Sequence, residues 1–435
     1  MTSTYRITPL DEVFLNISDQ SVMSIQFEIR VEGRFDADKM AAAMRVALGQ
    51  HEFSRARLAR STIGAVRRDW EIPDSVDHLP LEVTDESPED VRGRLFGVDV
   101  ALSTSPPFAA TIVRSEGGDY LMLNLHHAVF DGMSVLRFVT SIARAYSGED
   151  DPIGGPPLAE ARDLRSVAGS RGISDLLPRA TKIARDYVDR RNVTRVAADA
   201  PAQDDRRYGF TELRFSEDDT AAVRALKPKG ATINDVALAA LALTVVKWNR
   251  EHDEAIGDTV SIMMPVNIRP AEWSSEVVSN FAGYLAVIVP SDLGPDLATA
   301  AGIVRDHTTP LKADGVAGWM IDILGPGKYL PSVVKRGLSA LLPLVQDSWV
   351  ESATLSNLGR TSIPSFGGDV GAVTEVWFSP PPLSSILPMA VGMAGIGSEL
   401  FASFRSDRRH IGDDGARRFA EIYREIMTGA PDPSA

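Results

Sequence analysis

His126-His127-Ala128-Val129-Phe130-Asp131-Gly132 is the stretch on which the reading of this 435-residue chain turns. Upstream, residues 108–114 and 120–125 are β-rich runs flanking Ser115-Glu116-Gly117-Gly118-Asp119, a polar turn with glycines. The two histidines therefore stand at the end of the second strand of a hairpin. Downstream, Val135, Phe138, Val139, Ile142 and Tyr146 fall on one helical face. A strand, a sharp turn and a helix succeed one another, and Gly132 permits the tight backbone that such a turn asks for.

Adjacent residues at a strand end point to opposite faces, so one histidine meets a substrate while the other packs inward. An imidazole held near a turn in a cleft can take a proton from an alcohol or amine as that group attacks a thioester carbonyl. Three other readings compete. A lone histidine is most often a satisfied core residue. His126, His127 and Asp131 as metal ligands fail because adjacent histidines chelate poorly and no further ligand cluster follows, so no metal is expected. A Ser-His-Asp hydrolase lacks a Gly-x-Ser-x-Gly elbow. The spacing of two histidines, three residues, Asp131 and Gly132 is what lifts the motif above an ordinary core histidine.

Working outward, residues 23–31 read as a strand and 36–48 as a helix carrying Met40, Met44 and Leu48, with Asp36 as its cap. In the second half, a strand is expected at 208–215 and a helix at 234–249, where Thr232 and Asp235 have capping-box spacing. Strands are expected at 259–266 and 285–290. Residues 147–157 and 197–206 read as surface connections, and 176–193 as a basic helix with no assigned function. The stretch 316–345 is apolar but broken by Gly325-Pro326-Gly327, Lys335 and Arg336, the pattern of core-lining helices rather than a membrane element. Length alone suggests two domains. The boundary falls near residue 200, dividing an N-terminal lobe at 1–200 from a C-terminal lobe at 201–435.

Composition narrows the function classes. Hydrophobic residues at 44% and charged residues at 24% belong to a soluble globular chain. A net charge of −14 disfavours nucleic acid and anionic lipid as partners. Cysteine is absent, which removes disulfides, thiolate metal sites and a cysteine nucleophile. No apolar signal core opens the chain and no apolar run is long enough to span a bilayer, so the expected location is the cytoplasm.

The heptapeptide matches the HHxxxDG signature of condensation domains, polyketide-associated acyltransferases and the wax-ester-synthase/diacylglycerol-acyltransferase group, within the chloramphenicol-acetyltransferase-like superfamily. Other segments agree in order. Ile7-Thr8-Pro9-Leu10-Asp11-Glu12-Val13-Phe14-Leu15 is similar to the family's N-terminal opening, and His51-Glu52-Phe53-Ser54-Arg55-Ala56-Arg57-Leu58 resembles its HExLRT segment. In the second half Ile233-Asn234-Asp235-Val236-Ala237-Leu238-Ala239, Pro265-Val266-Asn267-Ile268-Arg269, Ser279-Asn280-Phe281 and Leu355-Ser356-Asn357-Leu358-Gly359 resemble its later motifs.

The resemblance implies an α/β (α+β) chain of two lobes with a tunnel between them. Its activity would be acyl transfer from an acyl-CoA or a phosphopantetheinyl carrier-protein thioester to an alcohol, with no permanently bound cofactor. Amide formation with an amine acceptor and a non-catalytic carrier-docking role are the alternatives. His127 would be the base and His126 structural. Asp131 would be structural as well, paired with Arg55 as the first choice of partner and Arg269 as the second. Ser279, Asn280, Ser356 and Asn357 are candidates for donors near the oxyanion or along the tunnel, although Ser-Asn pairs are equally ordinary loop residues.

Overall fold

The computed structural model describes residues 2–18, 21–60, 68–190, 192–202, 204, 206–273, 276–313, 316–324, 351–381 and 387–429. Of the stretch 316–345, only residues up to 324 are among them. The first half runs β1 (Ser3–Arg6), α1 (Pro9–Ile17), β2 (Ser24–Val31), α2 (Ala37–Gln50), β3 (Arg57–Leu58), β4 (Asp69–Ile72), β5 (Leu81–Thr84), α3 (Pro88–Leu95), β6 (Phe108–Val113), β7 (Tyr120–His126), α4 (Gly132–Ser147), α5 (Leu158–Ala161), α6 (Leu164–Ala168) and α7 (Ile173–Asp189). The second half runs β8 (Tyr208–Phe215), α8 (Glu217–Leu226), α9 (Ile233–Glu251), β9 (Thr259–Asn267), β10 (Ala282–Pro290), α10 (Leu297–Ala313), α11 (Trp319–Leu324), β11 (Ala353–Arg360), β12 (Val373–Ser379), β13 (Met389–Ile396), β14 (Glu399–Asp407) and a final helix, α12 (Asp413–Thr428).

Local chemistry sets the element boundaries. The Asp36 side chain accepts the Lys39 N–H at the start of α2, and Thr232 and Asp235 cap α9 reciprocally. Alternation along β2 then builds two surfaces. Ile25, Phe27, Ile29 and Val31 enter a first core with Met40, Met44 and Leu48 of α2 and Val135, Phe138 and Ile142 of α4. Gln26 and Glu28, on the other face, line a cleft with Phe210, Glu212 and Ser403 of the second half.

Two large sheets result, in strand order β12-β2-β7-β6-β5 and β10-β9-β11-β13-β14-β8, beside a small sheet β1-β4-β3. The second large sheet carries a separate core with residues of α9, α10 and α12, among them Val236, Leu241, Val304, Phe419 and Tyr423. The molecule is two-lobed, but a cut at residue 200 does not separate the sheets. Strand β12, from the second half, pairs antiparallel with β2, Phe378 opposite Phe27. It covers what would otherwise be an open edge of the first sheet. Gly392 makes room for this crossing, since a Cβ there would sit 1.8 Å from the Phe378 carbonyl oxygen.

Candidate active site

The His126–Gly132 loop lies where the lobes meet. Strand β7 ends at His126, and the His127 N–H carries the ladder one step further by donating to the Met23 carbonyl at 2.8 Å. Asp131 caps α4, its Oδ1 accepting the Ser134 N–H at 2.8 Å. The reason for glycine at 132 differs from the expected one. It has no left-handed backbone angle. What it supplies is space, because a Cβ would lie 2.5 Å from Leu358 Cδ2 and 3.5 Å from the Phe378 ring. The Ser356-Asn357-Leu358-Gly359 segment of β11 is thereby brought onto the start of α4.

The two histidines part company as a strand end requires. His126 is fully buried, its Nδ1 accepting the Ala128 N–H at 3.1 Å and its Nε2 standing 3.4 Å from Ser18 Oγ. His127 keeps 9% of its surface against 1% for His126. Its ring stacks on Phe14 of α1, with centroids 4.0 Å apart and planes 11° from parallel. His127 Nδ1 is buried without a hydrogen bond of good geometry. Burial pushes His126 down to about 3, with His127 adding to the effect. Burial likewise pushes His127 down to about 4, against the opposing pull of its own carbonyl, the Asp131 carboxylate and the Phe130 carbonyl. Both rings are therefore neutral at physiological pH.

Asp131 takes Arg269 as its partner. Arg269 donates through both terminal nitrogens, at 2.7 Å to Oδ2 and 3.0 Å to Oδ1, and the Phe281 N–H donates to Oδ2 at 2.7 Å. Arg55, the first-named candidate, is corrected. It donates to the backbone carbonyls of Pro73 and Leu48, because the 3₁₀ turn at Glu52–Arg55 closes α2 and aims the guanidinium back along its own lobe. Burial would raise the Asp131 carboxyl, but Arg269 and the Ser134 and Phe281 amides outweigh it and hold the group below its ordinary value.

Ser279 is occupied. Its carbonyl accepts from Arg269 and from Ser134 Oγ, its N–H donates to Ser134 Oγ, and its Oγ accepts from Arg162 at 2.9 Å. Arg162 also bonds Asp11 Oδ2 at 2.6 Å, an oxygen that accepts the Trp70 indole N–H and the Thr8 N–H. A continuous polar chain thus ties the Asp131 loop to the helix that presents Phe14. The hydroxyl of Ser279 is bound into this chain. Asn280 differs, with Oδ1 accepting the Ala282 N–H and Nδ2 buried without a partner. Ser356 is nearly buried in β11 beside Gly392 of β13, and Asn357 Oδ1 accepts the Gly359 N–H at a bulge.

Phe14, Asp11 and Arg162 were not singled out as site residues. Asp11 and Phe14 stand in the opening motif, whose three-residue spacing places them on adjoining turns of one helix face, and that is the signal that could have found them. Arg162 has no local signal. Among the described residues no group of three or more His, Asp or Glu could hold a metal ion, and no helix is long and apolar enough to cross a membrane.

Residues 13–306 match the family model of the condensation domain. An uncharacterized protein of Mycobacterium tuberculosis is 50% identical over 427 residues, covering 98% of this chain and 100% of that relative. Two solved structures share the fold at low identity. The first condensation domain of the CDA synthetase has a TM-score of 0.71 at 16% identity, covering 100% of this chain and 97% of that one. Trichothecene 15-O-acetyltransferase TRI3 from Fusarium sporotrichioides has a TM-score of 0.72 at 10% identity, covering 98% and 95%.

Proposed function

The chain belongs to the condensation-domain family, and from that premise we propose that it is a thioester-dependent acyltransferase, with an alcohol as acceptor and His127 as general base. The donor would be acyl-CoA or an acyl group on a carrier protein, used as a co-substrate in the cytoplasm, with no resident cofactor. The observation that carries this reading is His127 itself, neutral, partly accessible and set in a loop anchored by Asp131 and Arg269.

The chemistry follows from the state of the reactants. A thioester is already activated, so no covalent enzyme intermediate is needed. The acceptor hydroxyl lacks a destination for its proton. His127 takes that proton as the oxygen attacks the carbonyl carbon, and returns it to the thiolate as the carbon–sulfur bond breaks. Asn280 Nδ2, a buried donor without a partner, is the best candidate for the developing oxyanion. The same base would serve an amine acceptor and yield an amide. The likeness to TRI3, whose name states an O-acetyltransferase, is the reason an alcohol is put first.

Purified protein incubated with a panel of acyl-thioesters and candidate acceptors tests this by thiol release and mass spectrometry. An acylated acceptor formed by the wild type and not by His127→Ala supports the reading. Equal turnover by both would remove His127 as the base, and no acylated acceptor with either would favour a carrier-docking role without catalysis.

A further inference from the structure

On the footing of the acyltransferase reading, we propose that Arg162 is a positioning residue for the transfer: its guanidinium sets where Phe14, and with it the His127 imidazole, stands relative to Asn280. Arg162 directly follows α5 and is 8% exposed. One of its terminal nitrogens donates to Ser279 Oγ at 2.9 Å. The other donates to the Arg6 carbonyl at 3.0 Å and to Asp11 Oδ2 at 2.6 Å. The guanidinium carbon lies 3.9 Å from the centre of the Phe53 ring. Both ends of the fork and the ring contact are thus engaged at once, which holds the planar group in one orientation.

The contacts end on elements of the site. Asp11 and Phe14 stand three residues apart on α1, so that holding the one fixes the height and turn of the other. The His127 backbone is fixed by the Met23 carbonyl, whereas its ring takes its plane from Phe14. In the second half, Asn280 stands between two anchored neighbours. Ser279 is held by Arg162 through its hydroxyl and by Arg269 through its carbonyl, and the Phe281 N–H donates to Asp131 Oδ2. Arg269 locks this segment to the start of α4. Arg162 locks it to α1, the element that aims the base.

Stability alone does not account for an ion pair at this place. Asp11 is fully buried, and its Oδ1 has no hydrogen-bond partner. Withdrawing two charges from water offsets much of what their attraction returns, so apolar side chains of similar volume would serve the fold as well. Apolar packing cannot, however, hold polar groups of two lobes at fixed distances from one another. A misplacement of about 1 Å at a reacting centre can cost roughly 10²-fold in rate, which is the scale on which such a clamp acts.

The test compares Arg162→Met, and the double variant Asp11→Asn with Arg162→Met, against the wild type. Thermal melting, steady-state kinetics with the thioester and acceptor turned over fastest in the panel, and nitrogen-detected NMR titration of His127 are the readouts. Arg162→Met should melt lower because it strands the Asp11 carboxylate, and the double variant should regain much of that loss. Neither should regain turnover. We expect kcat to fall about tenfold or more in both, with the KM for the thioester changed by less than about twofold. The His127 pKa should rise in both from about 4 toward 6.5, since a loosened Phe14 admits water to the ring. A double variant that recovers turnover and the wild-type titration along with its stability would reduce Arg162 to a counter-charge and overturn the assignment. Wild-type kcat and titration in a folded Arg162→Met would overturn it as well. A wild type inactive with every thioester would sink the acyl-transfer reading instead, and the titration alone would then decide whether Arg162 places the imidazole.

Discussion

The imidazole of His127 lies flat against the ring of Phe14, 4.0 Å between centroids and 11° between planes. That contact fixes the plane in which the ring nitrogens lie and shields one face from water. Stacked aromatic pairs contribute about 0.5–1.5 kcal/mol beyond their buried area, enough to favour one ring orientation strongly. Phe14→Leu should let water reach the imidazole, so its pKa should rise from about 4 toward the ordinary histidine value. Nitrogen-detected NMR titration reads this directly. Phe14→Tyr should keep the wild-type value, and an unshifted titration in Phe14→Leu would show that the stack does not set the environment of His127.

Removing the base is the sharpest kinetic prediction. General-base catalysis is worth about 10²- to 10⁴-fold, so His127→Ala should lower turnover by that order with the fold intact. His126→Ala acts otherwise. It empties a buried position hydrogen-bonded to the Ala128 amide and should show chiefly in thermal stability. Parallel melting curves and steady-state rates on the two variants separate the roles.

Arg269 holds the loop through a buried, doubly bonded ion pair, so its loss leaves the Asp131 carboxylate without its counter-charge. Breaking such a pair typically costs about 3–5 kcal/mol. Arg269→Ala should destabilise by that much in urea denaturation, and Arg269→Lys should recover little, because an ammonium cannot reproduce the two-pronged geometry. Arg55→Lys should be nearly neutral for the Asp131 loop, since Arg55 bonds the Pro73 and Leu48 carbonyls of its own lobe.

The pH dependence of stability has two limbs. His51 and His127 are pushed down to about 4 and His126 to about 3, from 6.5. Their stabilisation is therefore present above the unfolded value and is lost as pH falls from 6.5 toward 3. Glu212 works in the opposite sense. Raised from 4.5 to about 8, it stabilises in its protonated form, fully below the unfolded value, and that contribution fades as pH rises through 8. Each group adds a slope near 1.4 kcal/mol per pH unit inside its window. Stability from chemical denaturation should climb from pH 4 to about 6.5 and then decline toward pH 8. Glu212→Gln should flatten the decline and steepen the climb above pH 4.5, where the slope from Glu212 opposes that of the histidines.

Much of this arrangement was legible because it is local. The hairpin before the histidines, the cap at Asp36 and the capping box at Thr232 and Asp235 are written in residues a few positions apart, and the strand 208–215 matches β8. What was not legible depends on distance. Asp131 and Arg269 are 138 residues apart, and nothing local favours Arg269 over Arg55. The loop needs an arginine, but which one arrives is decided by the path of the chain just after β9, where Arg269 stands. The bond from Arg162 to Asp11 and the pairing of β12 with β2 are of the same kind.

The crossing of β12 also bears on how the chain comes into being. The first sheet cannot be finished when its own half has been synthesised, because the strand flanking β2 belongs to residues 373–379. At ribosomal speed the wait is on the order of tens of seconds. Throughout it, the backbone edge of Ser24–Val31 stays open to any extended segment, its own or a neighbour's. Emergence of residues 373–379 is thus the event that closes the nascent lobe, and a fragment ending near residue 200 is expected to associate through that edge rather than persist as a monomer.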